Sequence, residues 1–210
     1  MNATGGGAGT VAAMADVDLE MAPSRGVMIS VEYEGLGPAL NRCRDPDDGD
    51  IVVPHDDEVV LGTTSVPVSD PDDYEEADWE VETSVRECAT MLPPVADAPT
   101  VRTWWGVRPL YAPDEQASNR RGISRGFTTV DHAADGVDNF TSIVGGKLTT
   151  YRQMAEAVSD HVCGELGVDA ACETATRPLP GADDPDRLDE FVAAYDGQGP
   201  TDADVSGRRE

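Results

Sequence analysis

The stretch 140–166 leaves few choices for how this chain folds locally. Residues 140–144 form a short apolar run of the kind a buried strand needs, and Gly145-Gly146 ends it. From Leu148 the apolar positions change period: Leu148, Tyr151, Met154, Ala155, Val158, Val162 and Leu166 fall on one face of a helix. A strand, a glycine pair and a helix place the open N–H groups of the helix start, and the positive end of its dipole, where no side chain intervenes. Such a terminus suits an anion or an electron-rich ring. An ordinary strand-to-helix turn would ask for the same two glycines.

The rest of the chain supplies strands around one more helix. Residues 27–31 read as a buried strand. Residues 51–54 and 59–63 flank His55-Asp56-Asp57-Glu58 as a hairpin with an acidic turn. Asp70-Pro71-Asp72-Asp73 is expected to open a helix with Val81, Val85, Cys88, Ala89 and Leu92 on one stripe, stopping before Pro93-Pro94. Residues 101–107, with Trp104 and Trp105, and residues 127–130 read as further strands, and residues 186–195 as a last helix. The first ten residues look like a strand end running into a glycine turn rather than a leader. This order predicts an α+β fold on a mixed or antiparallel sheet.

Charge excludes several functions. The chain has 41 Asp and Glu against 15 Lys and Arg, a formal charge of −26. Such a field repels nucleic acid and anionic lipid. The acids are spread along the chain, and Lys147 is the only lysine, a balance that resembles the proteins of extreme halophiles. A lysine retained where lysine is otherwise avoided marks Lys147 for a specific task. No apolar run approaches the roughly 18–20 residues needed to span a bilayer.

Cys43, Cys88, Cys163 and Cys172 form no C-x-x-C pair and have no His at ligand spacing, so they read as free thiols and no metal is expected. His55 and His132 fall in predicted turns and His161 on the polar face of the helix at 148–166, all three as solvated side chains.

Five segments in register carry a resemblance. Gly145-Gly146-Lys147-Leu148-Thr149-Thr150-Tyr151-Arg152 is similar to the flavin-contacting segment of FAD-dependent glycerol-3-phosphate dehydrogenases. Gly106-Val107-Arg108-Pro109-Leu110, about forty residues earlier, resembles that family's G-V-R-P-L, and Ile123-Ser124-Arg125-Gly126 its second arginine segment. Asn41-Arg42-Cys43-Arg44 and Leu61-Gly62-Thr63-Thr64 match the anaerobic, membrane-associated branch. Asn2-Ala3-Thr4-Gly5 resembles the family's V-N-A-T-G strand end, with Met1 where valine stands. The likeness runs over roughly residues 1–180.

The resemblance implies FAD as cofactor and oxidation of sn-glycerol 3-phosphate to dihydroxyacetone phosphate, with electrons passed to quinone through membrane-anchor or electron-transfer subunits. It places the protein in the cytoplasm, peripheral at the inner face of the membrane. It implies cofactor contacts at Thr4, Gly5, Gly145, Gly146, Lys147, Leu148, Thr149 and Thr150. Arg108 and Lys147 would be catalytic, and Arg108, Arg125 and Lys147 would hold the substrate, with Arg125 on the phosphate.

The implied organisation is a residual FAD-domain segment at 1–26, a substrate domain at 27–105, the C-terminal strand–helix part of the FAD (Rossmann-like) domain at 106–166, and an acidic extension at 167–210. The G-x-G-x-x-G fingerprint of that domain is absent from the chain. The expectation is therefore an N-terminally truncated member, begun at an internal GTG codon, whose missing half a partner would supply. Two other readings stay open: an amine or amino-acid oxidase, where the arginine of G-x-R-P grips a carboxylate, and a non-catalytic remnant.

Overall fold

The computed structural model describes residues 1–112 and 123–178, together with Asp184, Asp186, Arg187, Asp189 and Glu190. The chain divides into two compact units, Met1–Gly167 and Val168–Glu210. The second is described mainly by a turn in which Arg177 and Thr176 donate their N–H groups to the Glu173 carbonyl. Most of the helix expected at 186–195 lies outside the described residues.

In the first unit, six described strands form one antiparallel sheet: β1 (Ser24–Glu32), β2 (Leu40–Asn41), β3 (Ile51–His55), β4 (Glu58–Gly62), β5 (Val66–Pro67) and β6 (Thr100–Arg108). β1 is central. β4 and then β5 pair with it along one edge, and β6 along the other from Ser24↔Arg108 to Val31↔Thr100. The expected hairpin is present, with β3 and β4 joined at His55↔Glu58. Alternation along β1 buries Val27, Ile29 and Val31 against Val52, Val59, Leu61, Cys88 and Val95. Each such aliphatic side chain contributes roughly 1.5–3 kcal/mol when fully removed from water.

Helix α2 (Asp78–Ala89) covers this core. It begins later than expected: Asp70 instead accepts the Asp72 N–H in a local Asx turn, and the helix starts after the extended Ala77. Its fully buried face is Glu80, Ser84 and Cys88, while Val81, Val85 and Ala89 are half-buried beside it. The predicted stripe is thus rotated by one residue, because a buried carboxylate rather than a valine faces the sheet.

A second sheet pairs β7 (Phe127–Asp131) with β8 (Thr141–Gly145), from Phe127↔Gly145 to Asp131↔Thr141. Asn2 lies beside β8, donating its N–H to the Thr141 carbonyl (2.7 Å) and accepting the Ile143 N–H (2.9 Å). The expected strand end at the N-terminus is therefore only this short bridge. A 3-10 turn at Gly5–Gly7 and helix α1 (Ala8–Ala13) follow it, with Ala8 and Ala12 buried against Val17, Leu19 and Val144.

After Gly146 a 3-10 turn, Leu148–Thr150, leads into helix α3 (Tyr151–Glu165). Only Val158 of its predicted apolar face is fully buried. Leu148, Tyr151 and Leu166 are 88%, 68% and 70% exposed, so this face is not the core stripe its period suggested.

Candidate active site

Arg108 ends β6 and is half-buried. Its Nη1 donates to the Arg25 carbonyl (3.3 Å) and its Nη2 to Thr63 Oγ1 (3.0 Å). The seat exists because residue 26, on the neighbouring strand, is glycine. A Cβ there would run into the Thr64 carbonyl oxygen and come within 2.7 Å of the guanidinium nitrogens.

Arg125 belongs to the segment leading into β7, which is anchored by Ile123, buried with Ala22 and Leu110. Arg108 and Arg125 line one cavity of about 250 Å³, with Pro46, Thr63, Ser65, Leu110 and Ile123. Among these described lining residues none is acidic, in a chain where carboxylates outnumber cations by 41 to 15. Burial first, and the facing charge of Arg125 second, push the Arg108 guanidinium below its ordinary range. A bound anion relieves both penalties, so the arrangement is built for negative charge. A second hollow of about 270 Å³, lined by Gly26, Met28, Trp104, Gly106 and Val107, shares Thr63 and Arg108 with the first.

A buried network holds this seat. Glu80 is fully buried. Its Oε2 accepts from Arg25 Nε (2.9 Å) and its Oε1 from Thr64 Oγ1 (2.7 Å). Thr64 Oγ1 in turn accepts the Val27 N–H (3.0 Å), and Ser24 and Ser65 share a hydrogen bond of 2.9 Å. The segment 63–65 that Arg108 leans on is thus fixed to β1 and α2 at several points. Sequence reading missed Glu80, since one more glutamate in so acidic a chain looks solvated. Its only signal was the four-residue spacing with Ser84 and Cys88. By contrast, Arg42 pairs with Glu87 (2.7 Å) and Arg44 with Asp50 (2.7 Å), so the Asn41–Arg44 segment ties a loop to the body. The Arg42 hydrogen bond is the main reason Glu87 titrates below the usual carboxylate range.

Gly145 and Gly146 have φ of +76° and +82°. A Cβ at Gly145 would strike the Gly126 carbonyl, and one at Gly146 the Met154 sulfur. The Gly146 N–H donates to that same Gly126 carbonyl (3.0 Å). Arg125 and Lys147 are therefore each one residue from a shared hydrogen bond at one end of the β7–β8 ladder. Lys147 is exposed and is not among the residues lining the arginine cavity. Its backbone N–H donates to Thr150 Oγ1 (3.0 Å), which closes the helix start. Leu148 and Thr149 are exposed beside it. Thr4 Oγ1 donates to Asn2 Oδ1 (2.7 Å), and Gly5 takes φ +59° where the chain leaves β8.

His132 corrects one expectation. It is 1% exposed, stacked on Phe140, and hydrogen-bonded through Nδ1 to Asp135 and through Nε2 to Ser142 Oγ, both at 2.8 Å. The order Asp–His–Ser suggests a nucleophile, but Ser142 is fully buried and also accepts from Asn2 Nδ2 (3.2 Å). The network is internal bracing. His55 is exposed as expected, while His161 is half-buried.

The described arginine lining and the strand–glycine–helix turn are both arrangements that suit a negatively charged ligand. The model of the FAD-dependent oxidoreductase family matches residues 1–152, and the chain belongs to that family. Among its relatives, one subunit of the anaerobic glycerol-3-phosphate dehydrogenase of Haloferax volcanii is 48% identical over 197 residues, covering 91% of this chain and 34% of the relative. The corresponding protein of the Escherichia coli anaerobic glycerol-3-phosphate dehydrogenase is 40% identical over 192 residues, covering 88% and 34%. The chain thus spans about a third of the length of the curated relatives it matches. Among solved structures, a glycine oxidase of Geobacillus kaustophilus superposes with a TM-score of 0.44 at 22% identity, over 51% of this chain and 28% of that one. No described helix is long and apolar enough to cross a membrane.

Proposed function

We propose that this chain forms the substrate-gripping part of an FAD-dependent glycerol-3-phosphate dehydrogenase. The observation that carries the reading is the cavity shared by Arg108 and Arg125, which has no acid among its described lining residues. Arg125, the more exposed of the two, grips the phosphate bidentately, and each charge-assisted bond is worth about 1.5–3 kcal/mol. Arg108, rigidly seated by Arg25, Gly26 and Thr63, orients the C2 hydroxyl. Lys147, exposed at the helix start and outside the described lining of the cavity, is in this reading the cation that the resemblance assigns to the C2 oxygen. Two arginines in one cavity favour a phosphate dianion over the single carboxylate of an amino acid.

The residues at the helix start suit a flavin. The Lys147 cation and the exposed Leu148 and Tyr151 stand within five residues of one another at this turn, a combination that suits a ring with an anionic edge and apolar faces. Bound FAD supplies the hydride acceptor. Thr4, Gly5, Gly145, Gly146, Lys147, Leu148, Thr149 and Thr150 are the contacts assigned to it, with residues 27–105 as substrate domain and 1–26 and 106–166 as parts of the flavin domain. Partner subunits that carry electrons to quinone belong to the same reading. So does a cytoplasmic position, peripheral to the membrane.

The test is anaerobic mixing of the FAD-loaded protein with sn-glycerol 3-phosphate. The reading expects bleaching of the visible flavin band by this ester and not by glycerol at equal concentration. Equal bleaching by both, or by neither, refutes it.

A further inference from the structure

The geometry points to a divalent-metal site formed by Asp131, His161 and Glu165, clipping the end of α3 to the end of β7. β7 starts beside Gly145 and ends at Asp131. α3 departs from Gly146 and, at about 1.5 Å per residue, its fifteen residues carry it past the far end of that strand. His161 and Glu165, one turn apart on the same face, then come alongside Asp131. One ligand atom from each of the three lies within 4.8 Å of the others.

The independent observation is at His161 Nε2. This nitrogen is buried and has no hydrogen-bond partner, although Glu165 Oε1 lies 3.6 Å away. A buried polar atom left unpaired is disfavoured even on a side chain that is 31% exposed, and this one stands from the Glu165 carboxylate at a distance too long for a hydrogen bond but suited to an intervening ion, with Asp131 completing the set. At metal–ligand bonds of about 2.0–2.2 Å, neighbouring ligand atoms stand roughly 3–3.5 Å apart, so the set closes by movements of about an ångström. Asp131 is already oriented: its Oδ1 accepts the Ala133 N–H (2.9 Å), which leaves Oδ2 for the metal.

One imidazole and two carboxylates form a borderline donor set. It suits Zn²⁺, Mn²⁺ or Co²⁺ better than the all-oxygen preference of Mg²⁺ and Ca²⁺ or the thiolate preference of softer ions. The site lies at the opposite end of β7 from Arg125, so its role is structural. It stays invisible to cysteine and histidine spacing because its ligands come from a strand and a helix thirty residues apart.

The test titrates CoCl₂ into the chain in about 1 M and about 3 M KCl, which screen diffuse attraction to the acidic surface. The expected result is one equivalent bound with a visible d–d band, displaced by ZnCl₂ and unchanged between the two salts. His161→Gln and Glu165→Gln should each raise Kd at least tenfold, while Asp57→Asn, an exposed acid elsewhere, leaves it unchanged. Circular dichroism of the metal-free variants checks folding, and Glu165→Gln keeps the test decisive if His161→Gln unfolds. Many weak equivalents that fade with salt, or binding indifferent to both variants, would overturn the site.

Discussion

Removing the Glu80 carboxylate should damage this protein more than any surface change, and the structure sets the size of the effect. Glu80→Ala deletes the acceptor of Arg25 Nε and of Thr64 Oγ1 and leaves a guanidinium that is only 7% exposed without a counter-charge. Breaking a buried pair from one side costs about 3–5 kcal/mol. With a urea m-value of about 2 kcal/mol/M, the unfolding midpoint should fall by about 1.5–2.5 M. Glu80→Gln keeps a neutral acceptor and should lose about 1.5–3 kcal/mol, the range of a charge-assisted bond.

The assay is urea unfolding in high KCl, followed by the fluorescence of Trp79, Trp104 and Trp105. A double variant separates charge from packing. Arg25→Met with Glu80→Leu replaces the pair by apolar side chains and should return to within about 1 kcal/mol of the starting protein, because no charge is then stranded. The reasoning fails if Glu80→Ala loses less than about 1 kcal/mol, or if the double variant is as unstable as Glu80→Ala.

Two glycines in the same region should respond with opposite signs. Gly146→Ala forces a left-handed backbone on alanine and drives a methyl into Met154, costing about 1–3 kcal/mol, whereas Gly164→Ala, in α3 with open space around it, should gain about 0.5–1 kcal/mol; thermal unfolding reads both. Burial pushes the Cys88 thiol from 9.0 up to about 11. The unfolded thiol then loses its proton first, so stability is fully present below pH 9 and falls by roughly 2–3 kcal/mol towards pH 11, a drop that Cys88→Ala should abolish in pH-dependent urea titrations. At pH 8, alkylation should reach the exposed Cys43 and Cys172 and spare Cys88.

Much of this architecture was legible from periodicity. The alternation of Val27, Ile29 and Val31, the acidic turn between Pro54 and Val59, and the glycine pair after Val144 each have a local physical cause, and each stands where that cause put it. What escaped was set by partners distant in sequence. Glu80 and His132 look like solvated polar residues until Arg25 with Thr64, or Ser142 with Asp135, are brought to them by the fold. The helical period of Leu148, Tyr151 and Leu166 is real, yet period alone does not say whether anything covers a face. At the site, the family resemblance selected Arg108 and Arg125, and the fold places them on one cavity. The glycine, threonines and glutamate that seat Arg108 became visible only through their hydrogen bonds.

Isothermal titration of this chain with sn-glycerol 3-phosphate, against glycerol, tests the arginine cavity most directly because it needs no flavin. The account predicts one site for the phosphate ester, no measurable binding of glycerol, and a Kd raised about 10–100-fold by Arg125→Ala, the loss of about 1.5–3 kcal/mol expected for a charge-assisted contact. Equal binding of glycerol and its phosphate, or an affinity untouched by replacing Arg108 and Arg125 together, would contradict it.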